Sequence, residues 1–172
     1  MRVTLAAVER AIDKNNKILK EVYPLFTYPH FHKIVVRKAH SYWGNIRVRN
    51  GSYELHISKL IESIPDEKMA YKALNDTVIH ELIHTIPGCF NHGDKFVSIA
   101  NKVNKMYSGY NVKIKNSTSE YGFRYKKENK YKYLFHCNTC GNEVCYMRAP
   151  KYDVSEYTCL KCNTSNLSLV KL

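Results

Sequence analysis

Leu5, Val8, Ile12, Leu19 and Val22 recur at three- and four-residue steps, with a gap at Asn15 and Asn16, and Pro24 follows. That period predicts an amphipathic helix, with proline as its stop. The period then changes from 3.6 to 2. Residues 34–36 form one short strand, and strands at 43–49 and 53–58 flank Asn50-Gly51, a strong signal for a two-residue hairpin. The turn fixes a register: Arg49 faces Ser52, Val48 faces Tyr53, Arg47 faces Glu54 and Ile46 faces Leu55. Apolar pairs then share one face and the Arg–Glu pair the other, as a half-buried antiparallel sheet requires.

A second helix begins near Pro65-Asp66, where the aspartate can cap, and carries the row Leu74, Val78, Leu82, Ile86 up to Pro87-Gly88. A third runs from about 94 to 107, with Phe96, Ile99, Val103 and Met106 inward. Residues 111–130 read as a basic linker or extension, rich in Ser, Asn, Gly and Lys, and 131–172 as a small β-rich module. The expected class is α+β: a helix, a three-stranded antiparallel sheet, a metal-binding helix and a further helix over 1–110, then the C-terminal module.

The second helix contains His80-Glu81-Leu82-Ile83-His84. Histidines four apart stand one turn above each other, so both imidazoles reach one metal ion. Glu81 is placed to take a proton from water polarised by that metal and pass it to a leaving amine, chemistry that serves hydrolysis. A catalytic zinc wants a third protein ligand. His92 is the best candidate, eight residues after His84 and beyond a Pro87-Gly88 turn. Asp94 is the runner-up and Glu120 a distant third. Cys137-x-x-Cys140 and Cys159-x-x-Cys162 supply four thiolates in two knuckles, the arrangement of a structural zinc with no open position. Cys89 and Cys145 are left over.

Together, His80-Glu81-Leu82-Ile83-His84 and Asn91-His92-Gly93-Asp94-Lys95-Phe96, with Trp43-Gly44 upstream and the cysteine pairs downstream, resemble the SprT-like zinc metalloprotease family, which includes the DNA-dependent protease Spartan. The resemblance spans about residues 3–165. It implies a zincin-like domain followed by a zinc ribbon, with His80, His84 and His92 as zinc ligands and Glu81 as the catalytic acid/base. One departure is Asn163, where the second knuckle of the family often has glycine; asparagine tolerates the left-handed conformation.

Charge changes the picture next. Lys and Arg number 27 against 15 acids in 172 residues, a formal +12 that points to an acidic partner, nucleic acid first. The excess is +6 over residues 1–107 and again +6 over the shorter remainder. Arg124, Lys126, Lys127, Lys130, Tyr131, Lys132 and Tyr133 interleave cations with aromatics, as surfaces that hold single strands do. The opposing reading makes those tyrosines the core of the small module. In Spartan the zinc-binding part next to the protease contacts DNA, which implies single-stranded DNA or DNA–protein crosslinks as partners here. No apolar run is long enough to span a bilayer, and the amino terminus lacks a signal-peptide pattern. These features point to a cytoplasmic monomer, nucleoid-associated if bacterial or phage-borne, that cleaves proteins. The competing classes are a zinc-ribbon nucleic-acid binder and a regulatory adaptor, neither of which cuts.

Overall fold

In a computed structural model of the chain, describing residues 1–39, 42–115, 117–122 and 131–172, contacts divide the molecule into two units, Met1–Tyr125 and Lys126–Leu172. It is an α+β protein with three helices and two small sheets. Helix α1 (Leu5–Val22) starts where the Thr4 hydroxyl accepts the Ala7 N–H at 3.2 Å. Its apolar face does not lapse at Asn15 and Asn16, which are both buried. The Asn15 amide donates to the Ala11 carbonyl at 2.7 Å and to Asn75 Oδ1 at 3.3 Å, so a polar contact replaces an apolar one between α1 and the next helix.

The first sheet comprises β1 (Phe31–Arg37), β2 (Gly44–Arg49) and β3 (Ser52–Ser58), in the order β1-β3-β2. The β2–β3 hairpin has the expected register, from Arg49 opposite Ser52 to Ile46 opposite Leu55, with Asn50 and Gly51 at positive φ. The sheet is not wholly antiparallel, because β1 pairs with β3 in parallel. Leu55 and Ile57 make β3 the most deeply buried strand, which belongs at the centre. The chain reverses between β1 and β2, so β3, antiparallel to β2, runs alongside β1.

Helix α2 (Glu67–Ile83) begins at Asp66, whose carboxylate accepts the Met69 N–H at 2.7 Å. It ends at His84, before Pro87, and the chain tightens into three-residue bonds from Thr85 to Leu82 and from Ile86 to Ile83. Buried residues surround α2 on most sides, with Val78, Ile79, Leu82 and Ile83 fully enclosed. Helix α3 (Asp94–Met106) buries Phe96, Ile99 and Val103, but Met106, expected inward, is exposed in the last turn. Beyond α3, the beginning of the stretch read as a linker is built into this unit: Val112 and Tyr121 join the core.

The second unit is an antiparallel sheet of β4 (Tyr133–Cys137), β5 (Glu143–Tyr146) and β6 (Leu167–Lys171), in the order β5-β4-β6. Among the described residues, no helix is long and apolar enough to cross a membrane.

Candidate metal centres

Two segments, α2 with its cap and the turn before α3, bring His80, His84 and His92 together. His80 lies on α2, His84 at its C-terminal cap, and His92 just before α3. The Nε2 atoms of His84 and His92 lie 3.2 Å and 3.0 Å from that of His80. Around a four-coordinate ion with bonds of about 2.0–2.1 Å, neighbouring nitrogens stand roughly 3.3 Å apart, so the triad is close to ligand spacing. Phe96, buried on α3, packs against all three rings at centroid distances of 4.8–4.9 Å.

The other ring nitrogens show why Nε2 faces inward. His80 Nδ1 donates to the Lys113 carbonyl at 2.9 Å, and His84 Nδ1 donates to the Cys89 carbonyl at 2.7 Å. A carbonyl can only accept, so each bond fixes the proton on Nδ1 and leaves a lone pair on Nε2. Burial, with His84 and His92 adding repulsion, pushes the His80 pKa down to about 3, and burial lowers that of His84. Neutral imidazoles whose lone pairs converge this closely suit a bound cation. Neither carbonyl acceptor was legible from side-chain motifs.

Glu81, next to His80 in the chain, is buried at 5% exposure. Burial raises its pKa to about 8, against a hydrogen bond from the backbone of Ile46 on β2 that favours the carboxylate. Gly44 lets β2 pass this close. A Cβ there would stand 2.6 Å from Thr77 Cγ2 and 2.8 Å from Glu81 Oε1.

Asp76, one turn before His80, is fully buried and anchors the segment after α3. It accepts from Lys72 Nζ at 2.9 Å, the Asn111 N–H at 3.0 Å and the Tyr121 hydroxyl at 3.1 Å. The Trp43 ring packs on Tyr121 at 5.2 Å. Glu120, weighed as a ligand, instead pairs with Lys113 at 3.1 Å and accepts from Asn111. Asp94 lies in the first turn of α3, outside the histidine group.

In the second unit, Cys137, Cys140, Cys159 and Cys162 form the other metal-capable group among the described residues. Cys137 Sγ is 3.5 Å from Cys162 Sγ, and Cys140 Sγ is 3.6 Å from Cys159 Sγ, too far for disulfides. The knuckles repeat one backbone pattern. Gly141 N–H bonds the Cys137 carbonyl at 2.8 Å, and Asn163 N–H bonds the Cys159 carbonyl at 2.7 Å. Gly141 and Asn163, equivalent in position, are both left-handed at φ 68° and 55°. Burial would raise the Cys137 thiol, but N–H groups of Cys140 and Thr139 outweigh it and draw the pKa down to about 6. The Lys161 N–H is the largest influence lowering that of Cys159. Both shifts favour thiolate, the ligating form. At Cys162, by contrast, the Thr164 N–H is outweighed by burial and the three neighbouring sulfurs, which push the thiol up to about 12. Cys89 is buried, and Cys145 is exposed on β5.

Of the residues read as nucleic-acid contacts, Arg124, Lys126, Lys127 and Lys130 lie outside the described residues. Tyr131 and Lys132 are exposed, and Tyr133 is half-buried on β4. Other aromatics of this unit build its core: Phe135 packs on Tyr146 at 5.5 Å and on Tyr157 at 5.1 Å. No protein-family model matches the chain, and no curated protein matches it significantly.

Proposed function

We propose that the chain is a zinc-dependent peptidase of the SprT-like type, with a catalytic zinc at His80, His84 and His92 and a structural zinc at the four cysteines. The observation that carries this reading is the convergence of three Nε2 atoms, two of them oriented by backbone carbonyls, at a helix that also carries the buried Glu81. Three neutral histidines suit zinc and leave a coordination position for a reactant, whereas four thiolates close the second site. The first ion supplies Lewis acidity for the attacking water and the scissile carbonyl. Glu81 accepts the water proton as the oxygen bonds to the carbonyl carbon. It then gives that proton to the amine nitrogen as the C–N bond breaks.

Proteins bound or crosslinked to DNA are the proposed substrates. Support comes from the basic excess and from a cleft on the second unit lined by Phe135, Tyr146, Met147, Arg148 and Tyr157, where the exposed Tyr146 and Arg148 stand at the edge of the aromatic core. The deciding experiment is cleavage of an unfolded protein by purified chain, with and without single-stranded DNA, alongside metal analysis. Glu81→Gln should abolish cleavage while two zinc ions per chain remain. Full activity in that variant would refute the mechanism. Absence of cleavage by wild-type protein carrying both ions would favour a non-catalytic binder.

A further inference from the structure

On the first sheet, side chains alternate between two faces. Tyr53, Leu55 and Ile57 of β3 share a face with Ile34 and Val36 of β1 and Ile46 of β2, and this face carries the core. The other face presents Lys33 and Arg37 from β1, Arg47 and Arg49 from β2, and Glu54 and His56 from β3. All four cations are exposed, with the Lys33 and Arg49 side chains 61% and 65% accessible. Glu54 and His56 are buried between them and paired at 3.1 Å. Glu54 also holds Lys33 and Arg49 at 3.6 Å each. One acid therefore faces four cations and pairs with two of them, Arg37 and Arg47 bonding instead to the Tyr42 hydroxyl and Asn45 Oδ1, so three positive charges stay uncompensated when His56 is neutral.

We propose that this sheet face is a docking surface for the phosphodiester backbone of DNA, separate from the second unit's aromatic cleft. Three of the chain's seven arginines lie here, and their planar forks match phosphate oxygens better than ammonium groups do. Arg47 and Arg49, two residues apart on one strand, project the same way at a separation of about 7 Å. Lys33 lies across the sheet in the row of Arg47, with Glu54 between them. Such a grid meets a regularly charged polymer at several points. The only apolar side chain of the three strands on this face is Val35, half-buried, which gives a lipid surface no anchor. The Tyr42 ring, just before β2, packs on Arg37 at 5.8 Å, and its hydroxyl accepts from that guanidinium. No Phe, Tyr or Trp of the three strands joins Lys33, Arg47 or Arg49, so contact through these three is carried by charge.

The inference rests on the DNA partner proposed above, and its test separates the two. Binding of a labelled mixed-sequence DNA duplex is measured by anisotropy at several salt concentrations. The proteins compared are wild type, Arg47→Gln/Arg49→Gln, Arg47→Lys/Arg49→Lys and Lys126→Gln/Lys127→Gln. The glutamine pair should weaken binding on the order of ten- to thirtyfold at 0.15 M salt and lower the salt slope by roughly 1.8. The lysine pair should retain the slope, which rules out unfolding as the cause. DNA binding unaffected by the glutamine pair but lost with Lys126→Gln/Lys127→Gln overturns this surface and leaves the DNA partner standing. No DNA binding by wild type overturns both. Capture of an acidic polypeptide, poly-glutamate, through Arg47 and Arg49 in preference to DNA overturns the choice of partner.

Discussion

Gly44 lies against Glu81 so closely that one added carbon would stand 2.8 Å from the carboxylate oxygen. The same carbon would press on Thr77 Cγ2 at 2.6 Å, and both neighbours sit on buried positions of α2. Neither side chain has solvent to retreat into. Gly44→Ala should therefore destabilise the first unit by about 1–3 kcal/mol and displace the carboxylate. The proposed peptidase activity should fall by more than metal content, because the three histidines are untouched. Thermal unfolding, metal analysis and a cleavage assay on one preparation check this. Wild-type values in all three would mean that β2 shifts freely over α2.

Glu81 also sets a pH dependence for the metal-free protein. Its carboxyl is raised from 4.5 to about 8 in the folded chain, so between those values the folded state holds more protons than the unfolded state. Stability contributed by this group is present below about pH 4.5 and is lost as pH rises towards 8. His80 acts oppositely, but only between about pH 3 and its ordinary 6.5. From pH 6.5 to 8 the Glu81 effect therefore dominates this site. Metal-free protein should melt at falling temperature across that window, and metal-free Glu81→Gln should not. Zinc should flatten the wild-type curve, because a nearby cation favours the carboxylate. A flat curve for metal-free wild type would refute the burial argument.

Elements with strong local signals were legible in the sequence. Asn50-Gly51 fixed the β2–β3 register because its turn needs two positive φ values, and the four-residue spacing of His80 and His84 follows from helix geometry. The parallel pairing of β1 was not legible, since strand order depends on which strand is buried on both sides. Asn15 and Asn16 looked like a lapse in an apolar face because their partners, such as Asn75, lie sixty residues away. The groups that orient the histidines are backbone carbonyls of Lys113 and Cys89, which no residue type announces. Asp76 was invisible for a similar reason: a buried acid is recognisable only through what surrounds it.

Asp76 should support the histidine centre without touching it. Its carboxylate holds Asn111 and Tyr121, and the carbonyl of Lys113, two residues beyond Asn111, accepts the His80 Nδ1 hydrogen bond. Asp76→Ala removes three hydrogen bonds at a fully buried point. The expected cost is about 3 kcal/mol of stability. Loosening of the Lys113 carbonyl should also weaken zinc at the histidines about tenfold, measured by competition with a chromophoric chelator. Zinc at the cysteines should be unchanged. Loss of stability with unaltered zinc affinity would confine Asp76 to a packing role.

The second unit tests how far a metal can replace a core. Among its described residues, the buried apolar side chains are Phe135, Cys137 and Cys159, and two of these are metal-site thiols. So small a core does not offset the entropy of ordering the chain, and the binding energy of an ion must supply most of the folding energy. Cys137→Ser should therefore remove one zinc per chain and unfold Lys126–Leu172 as a unit. Backbone amide resonances of β4, β5 and β6 should collapse to unfolded positions. Those of α2 and α3 should stay dispersed, because the large apolar core of the first unit stands without the cysteine site. The complementary His84→Ala should lose the proposed zinc of the histidine site and leave the second unit's resonances in place. A folded second unit in metal-free Cys137→Ser would show that its aromatic contacts suffice and that the four thiolates serve another purpose.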